Sequence, residues 1–267
     1  MSQVFVLFDM DGTITAHGEP IKDYMIHALN YLSNWATIGI VTGSDLASMR
    51  KQLDPLLDEG WDAFAEEILY FPCNGTQQWY WDSNLRNFGE VDSVNMRDHL
   101  GESSYQTLIQ TVIDCQHQFC TNFSDLSYSG TFIQYRGSLL NWSPVGRNAT
   151  AKDRKQFIAA DIKFNIRNNI LTELRTQLND IDVTFVQGGQ TSFDIYPTGW
   201  NKTFVLNHFD DDSIIWFVGD RCEEDGNDRA LYEALPRPQV FITTCPKQTV
   251  QIIGQHIIPQ IKDCDYD

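Results

Sequence analysis

The sequence predicts an α/β fold whose parallel-sheet core is interrupted by an inserted α+β segment, so that the chain runs core, insertion, core. Two observations carry this. Towards each end, short and continuously apolar runs alternate with helical periodicity; in the middle, that pattern gives way to strand-like alternation and two long helical stretches. A run that is apolar at every position suits a strand buried on both faces, as in a parallel sheet, whereas alternation suits an antiparallel sheet with one covered face.

Val4-Phe5-Val6-Leu7-Phe8 is the first such run, and it ends at the polar loop Asp9-Met10-Asp11-Gly12-Thr13. Ile21, Met25, Ala28, Leu29 and Leu32 recur near helical spacing and predict a helix over 20–35. Ile38-Gly39-Ile40-Val41 reads as a second strand. Thr42-Gly43-Ser44-Asp45 follows, and Ser44 or Asp45 can cap a helix running to about Leu53. Strand–helix–strand–helix order predicts an α/β fold. From about Trp81 to Asp182, patches such as Thr131-Phe132-Ile133-Gln134-Tyr135-Arg136 alternate, and helices are expected at roughly 100–120 and 152–178. The apolar strand pattern returns at Ile214-Ile215-Trp216-Phe217-Val218, ending in Gly219-Asp220, and Val240-Phe241-Ile242 is the expected last strand. The expected boundaries are 1–82 and 199–267 for the core and 83–198 for the insertion.

Composition narrows the function. With 42% hydrophobic and 21% charged residues, the 267-residue chain is ordinary for a globular protein. A formal net charge of −17 repels nucleic acid and anionic membranes. It also repels a phosphorylated substrate at long range, so a phosphate site needs local positive charge from a metal, Arg, Lys or helix N-termini. The six cysteines form no Cys-x-x-Cys pair and are read as reduced and metal-free. Asn-x-Ser/Thr sequons begin at Asn74, Asn122, Asn141, Asn148 and Asn201, but the first apolar run is too short for a signal peptide, and no stretch approaches a membrane span. A soluble, cytoplasmic protein is expected.

The chemistry is expected where apolar strands end in aspartate. Asp9 follows Phe8, and Asp220 follows Val218-Gly219. In open parallel sheets, ligands sit outside the carboxyl ends of the strands, so both carboxylates would face one crevice. Like charges held close are costly unless a cation lies between them, and Mg²⁺ suits oxygen ligands while contacting a substrate phosphate.

Asp-Met-Asp-Gly-Thr after a hydrophobic strand, followed in order by Ser44, Lys202 and Gly219-Asp220, resembles the signature of the haloacid dehalogenase superfamily. The resemblance implies a Rossmann-like core of that type with an inserted cap. It implies that Asp9 attacks phosphorus to form an aspartyl-phosphate, and that Asp11 is the general acid/base. Mg²⁺ would bind the Asp9 carboxylate, the Asp11 main-chain carbonyl and Asp220. Ser44 would hydrogen-bond the transferring phosphoryl group, and Lys202 would neutralise charge on Asp9 and phosphate. Asp225-Gly226-Asn227-Asp228 supports the metal loop, with Asp228 orienting Lys202 or a metal ligand.

The insertion narrows the substrate. Gly130-Thr131-Phe132-Ile133, Arg136, Leu140-Asn141-Trp142-Ser143-Pro144-Val145-Gly146-Arg147 and Gly188-Gly189-Gln190-Thr191-Ser192-Phe193-Asp194-Ile195-Tyr196-Pro197 are similar to cap segments of the eukaryotic-type phosphomannomutases. That resemblance implies interconversion of mannose 6-phosphate and mannose 1-phosphate, primed by a hexose 1,6-bisphosphate, for GDP-mannose synthesis. A mutase must hold both ends of a bisphosphate. Arg136 and Arg147 suit the distal phosphate because guanidinium binds phosphate bidentately. Ser192 would contact phosphate, Asp194 the sugar hydroxyls, and Asn141 belongs to the same substrate-binding set. A homodimer through the cap is implied as well.

The chain departs from the family pattern at several positions. Ser129 stands where the family has Arg before Gly-Thr-Phe, and Arg136-Gly137-Ser138 where it has Arg-Asn-Gly. Only His17 is found where an Arg follows the first loop, and Asn201 replaces an Asp before Lys202. Each lost charge-assisted contact is worth roughly 1.5–3 kcal/mol, so the distal site is weakened. Two other readings stay open. A sugar-phosphate phosphatase would need only Asp9, Asp11, Lys202 and Asp220; a non-enzymatic binding protein would not need to keep Asp9 and Asp11.

Overall fold

Five consecutive residues without a polar side chain can be buried on both faces only in the middle of a layered sheet. In the computed structural model, which describes residues 3–58, 60–224 and 226–264, strand β1 (Val4–Asp9) occupies that place. It pairs in parallel with β10 (Ile214–Gly219) on one side and β2 (Thr37–Val41) on the other. Val6 and Phe8 point into one core with Ile38, Ile40, Met25 and Leu29; Leu7 points into the opposite core with Val41, Phe71 and Phe217. Each such side chain contributes about 1.5–3 kcal/mol on burial, which fixes the strand's register.

The full sheet has seven strands in the order β11-β10-β1-β2-β3-β4-β5, where β3 is Leu69–Phe71, β4 Gln77–Asp82, β5 Asn87–Ser93 and β11 Val240–Ile242. The strands are parallel from β11 through β3, and β4 and β5 are added antiparallel. Helices α1 (Asp23–Leu32), α2 (Leu46–Leu53), α3 (Asp62–Glu66), α8 (Arg229–Ala234), α9 (Pro246–Ile252) and α10 (Ile258–Cys264) belong to the same unit. Helix α1 is shorter than the expected 20–35. Its first turn starts after Ile21, whose N–H donates to the carbonyl of Gln52.

A second compact unit spans Val94–Trp200. Its sheet is antiparallel in the order β6-β7-β9-β8, with β6 Ile133–Tyr135, β7 Leu140–Trp142, β8 Val183–Gly188 and β9 Ser192–Pro197. Helices α4 (Met96–Leu100), α5 (Glu102–Asn122), α6 (Ala151–Phe164) and α7 (Ile166–Gln177) complete it. Register decides the two faces. Leu140 opposite Ile195 and Trp142 opposite Phe193 are buried, while Gln134, Asn141 and Asp194 form a polar row on the other face.

Two details differ from the sequence reading. The first unit extends to Ser93 and resumes at Asn201, rather than breaking at 82/83 and 198/199, because β5 completes a hairpin with β4. The single helix expected over 152–178 is two, broken at Asn165, which sits at φ 52°, ψ 43° in the left-handed region. No helix among the described residues is long and apolar enough to cross a membrane.

Candidate active site

Asp9 is the last residue of β1, and Asp220 follows β10 directly, so two adjacent parallel strands deliver carboxylates to the same end of the sheet. Asp228, immediately before α8, joins them: ligand oxygens of Asp9, Asp220 and Asp228 all lie within 4.8 Å of one another. The ammonium of Lys202 donates to both Asp9 Oδ1 and Asp228 Oδ1. Asp228 Oδ2 also accepts from the Arg221 N–H at 3.0 Å. Lys202 and Asp228 are 1% and 0% exposed, so this ion-pair network is shielded from water.

The charges do not balance, since three carboxylates face one ammonium. Burial, reinforced by Asp228, pushes the Asp9 carboxyl up to about 8 despite Lys202. Burial and then Asp228 also raise Asp220. Burial works against the charge on Lys202, but the carboxylates of Asp228 and Asp9 outweigh it and hold its pKa above the ordinary lysine value. A cluster of oxygen donors with surplus negative charge is the donor set that a hard divalent cation such as Mg²⁺ takes.

Two glycines make the cluster possible. Gly12 has φ +89°, and a Cβ there would lie 2.2 Å from Asp220 Oδ2. A Cβ on Gly219 would lie 2.7 Å from Asp228 Oδ2. The loop between Asp9 and Thr15 is pinned by N–H groups of Thr13, Ile14 and Thr15 converging on the Met10 carbonyl. His17 sits at the cluster's edge, its Nε2 3.8 Å from Asp220 Oδ2.

The structure does not bring the Asp11 carboxylate into the acidic group. Its oxygens accept from the Gly18 N–H at 2.9 Å and from Gln52 Nε2 at 3.4 Å. Ser44 follows β2, and the cap of α2 is Asp45, which accepts from the Ser48 N–H at 2.9 Å. Of the two candidate caps, Ser44 is therefore not the one used. Asp225 lies outside the described residues.

A strained segment ties the Ser44 loop to the Lys202 turn. Cys73, Asn74 and Gly75 have φ of 52°, 64° and 82°. Two consecutive non-glycine residues with positive φ are rare and concentrate at functional sites. The Cys73 and Asn74 N–H groups donate to the carbonyls of Ser44 (2.9 Å) and Thr42 (2.8 Å), while Gly75 O lies 2.7 Å from His208 Nε2, at the end of the 3₁₀ turn Lys202–His208.

In the second unit, the cap candidates lie together. Arg147 Nη1 donates to Asn141 Oδ1 (2.6 Å), and Asn141 Nδ2 donates to Asp194 Oδ1 (2.7 Å). The other Asp194 oxygen and the Ser192 hydroxyl each lie 2.8 Å from where a Gly188 Cβ would sit. Burial raises the Asp194 carboxyl, against the opposing influence of Arg136, Asn141 and Arg147. Arg136 also donates to Gln134 Oε1. Ser129 donates to the Val145 carbonyl at 3.1 Å, a backbone contact rather than a cationic one.

Sequence reasoning missed Gly12 and Gly219 as close-approach positions, the Cys73–Gly75 segment with His208, and Gln52. Asn74-Gly75 carried a signal, because that dipeptide favours left-handed backbone. His208 and Gln52 carried none, since only the fold brings them to these loops.

A parallel sheet with paired aspartates at adjacent strand ends, in a chain that also forms a separate antiparallel unit, defines a haloacid dehalogenase-type protein. An IMP-bound IMP-nucleotidase from Plasmodium falciparum shares the fold at TM-score 0.65 and 14% identity, covering 96% of this chain and 68% of that one. A trehalose-6-phosphate phosphatase from Aspergillus fumigatus gives 0.51 at 18% identity, covering 95% and 92%. The model of the eukaryotic phosphomannomutase family matches residues 25–258. Phosphomannomutase from Dendrobium officinale is 32% identical over 97% of this chain and 96% of its own length; phosphomannomutase 1 of Mus musculus is 33% identical over 97% and 94%. The chain belongs to the eukaryotic phosphomannomutase family.

Proposed function

We propose that this chain is an enzyme that interconverts mannose 6-phosphate and mannose 1-phosphate through a phosphorylated Asp9, primed by a hexose 1,6-bisphosphate. The observation that carries it is Asp9 itself: a buried carboxylate at a strand end, one oxygen held by Lys202, beside Asp220 and Asp228. A carboxylate so fixed needs no reorganisation to meet phosphorus.

An Asp9 oxygen attacks phosphorus and the bond from phosphorus to the sugar oxygen breaks. Asp11 gives its proton to that departing oxygen. In the second half, the free hydroxyl of a hexose monophosphate attacks the phosphorus on Asp9 while Asp11 takes its proton. The bond from Asp9 to phosphorus breaks and a hexose 1,6-bisphosphate forms, which turns round so that its other phosphate meets Asp9 and the monophosphate released is the isomer. Lys202 keeps Asp9 oriented and offsets charge that builds on the phosphoryl oxygens, with Ser44 as a further donor. Asp228 fixes the ammonium. For the proton steps, Asp11 exchanges its contacts with Gly18 and Gln52 for the sugar oxygen. Asp9, Asp220 and the main-chain carbonyl of Asp11 would hold Mg²⁺. When bound, the ion supplies the positive charge that the carboxylate surplus lacks.

The phosphate that is not reacting needs its own cations. We assign it to Arg136, Arg147 and Ser192 of the second unit, with Asn141 and Asp194 reading sugar hydroxyls; the Arg147–Asn141–Asp194 chain supports this. Family membership supports a cytoplasmic homodimer joined through the second unit and feeding GDP-mannose synthesis.

Phosphorus NMR of mannose 1-phosphate with protein, Mg²⁺ and a trace of bisphosphate tests the reading. A mannose 6-phosphate signal is the expected result. Inorganic phosphate alone would make the protein a sugar-phosphate phosphatase, and an unchanged spectrum would contradict both activities.

A further inference from the structure

Arg154 lies outside every motif discussed above, on the first turn of α6, and its guanidinium joins the two segments that carry the second unit's cluster. Nη2 donates to the Arg147 carbonyl at 2.8 Å, Nε to the Ala149 carbonyl at 3.2 Å, and Nη1 to the Thr191 hydroxyl at 3.1 Å. The first two acceptors belong to the loop after β7 that presents Arg147; the third immediately precedes Ser192, the first residue of β9. Thr191 is 1% exposed, so its hydroxyl is held inside rather than on a mobile surface.

We propose that Arg154 is a positioning residue for substrate phosphate: it sets Arg147 and Ser192 at the spacing a phosphate dianion needs. This rests on the assignment of the second unit's cluster as an anion site. The planar guanidinium fork can reach three acceptors in fixed directions at once, which a lysine ammonium on a flexible stem does not reproduce. All three acceptors are neutral oxygens, so none of them cancels the guanidinium charge, which adds to the positive field of Arg136 and Arg147. Helix α6 is itself anchored by a capping box, with Thr150 Oγ1 accepting from the Asp153 N–H and Asp153 Oδ2 accepting from the Thr150 N–H. Arg154 is thus mounted on a fixed turn and clamps a loop and a strand end to it. The loop needs such a clamp: Arg147 follows Gly146 at φ +90°, where a Cβ would lie 2.4 Å from the Gly130 carbonyl oxygen.

The test is steady-state kinetics of the full-length protein with two substrates, mannose 1-phosphate and p-nitrophenyl phosphate, the second too small to present a distal phosphate or sugar. Arg154→Ala is expected to raise KM for mannose 1-phosphate about tenfold, the scale of one lost charge-assisted contact, with kcat for the aryl phosphate unchanged. Arg154→Lys, which restores charge without the fork, is expected to recover only part of that loss. Arg147→Ala, measured alongside, separates the two layers. If Arg147→Ala raises KM and Arg154→Ala does not, the positioning role is wrong and the anion site stands. If Arg147→Ala leaves KM unchanged, the anion site is wrong and the positioning role falls with it. Equal loss on both substrates in Arg154→Ala would show a merely structural role and would also overturn the proposal.

Discussion

Lys202 and Asp9 stand 193 positions apart in the chain and meet as a buried, hydrogen-bonded ion pair. Asp9 ends the first strand; Lys202 opens a 3₁₀ turn that Asn201 caps by accepting from the Thr203 N–H at 2.9 Å. Asp228 is the second carboxylate on the same ammonium, so one lysine holds two buried acids.

Lys202→Met should therefore be costly to the fold as well as to activity. Removing one partner of a buried pair typically costs about 3–5 kcal/mol because the remaining charge is left without compensation. Urea unfolding at pH 8 in the presence of chelator should show a loss of that size. A change below about 0.5 kcal/mol, the range of ordinary surface substitutions, would mean that the network is not formed in solution.

Divalent cation binding should be coupled to protons. Burial and Asp228 push Asp9 up to about 8, so at neutral pH the metal-free site holds a proton that a cation must displace. The rise in Tm on adding Mg²⁺ to chelated protein should grow with pH up to about 8 and then level off. Asp220→Asn should shrink it. Gly12→Ala, whose Cβ would strike Asp220, should do the same. A Tm shift that is independent of pH would argue against this coupling.

The Cys73–Gly75 segment predicts an order of tolerance at position 74. The left-handed backbone there costs an ordinary L-residue roughly 1–2 kcal/mol, and glycine nothing. Asn74→Gly should keep near-native stability, while Asn74→Val should lose at least about 1–2 kcal/mol and turn over p-nitrophenyl phosphate more slowly, because the Ser44 loop hangs on this segment. Equal behaviour of the two variants in thermal unfolding and turnover would remove the strain argument.

How much of this was legible in the sequence depended on whether the signal was local. Val4–Phe8 and Ile214–Val218 declared buried parallel strands because every position is apolar, and Ser44-Asp45 declared a helix start without saying which of the two caps it; the structure uses Asp45. Strands β3 and β4 were not read as core strands: Leu69–Phe71 is only three residues long, and Gln77-Gln78 opens β4 with polar side chains suited to an edge hairpin. The break at Asn165 was missed because neither glycine nor proline marks it. Within the site, Asp9, Lys202 and Asp220 could be named from order and motif. The Asp11 contacts with Gly18 and Gln52, and Arg154 bridging Arg147 to Thr191, arise from tertiary placement that no local pattern encodes.

Asp194 supplies a pH dependence that owes nothing to metal. Its carboxyl is raised by burial, so the native state binds its proton more tightly than the unfolded chain does. The stabilisation from that protonation is fully present below the unfolded value of about 3.9 and is lost as pH rises through the raised native value. The difference in unfolding free energy between wild type and Asp194→Asn should therefore shift against wild type as pH climbs through that window. A difference that stays constant with pH would contradict the raised value.

The central claim is that Asp9 carries the phosphoryl group. A crystal structure of the protein grown with Mg²⁺, beryllium and fluoride tests it most directly, because trifluoroberyllate mimics a phosphoryl group bonded to a carboxylate oxygen. The account places the beryllium on a carboxylate oxygen of Asp9, beside Lys202. Beryllium bonded to any other side chain, or none bonded at Asp9 in crystals that hold the ion elsewhere, would contradict it.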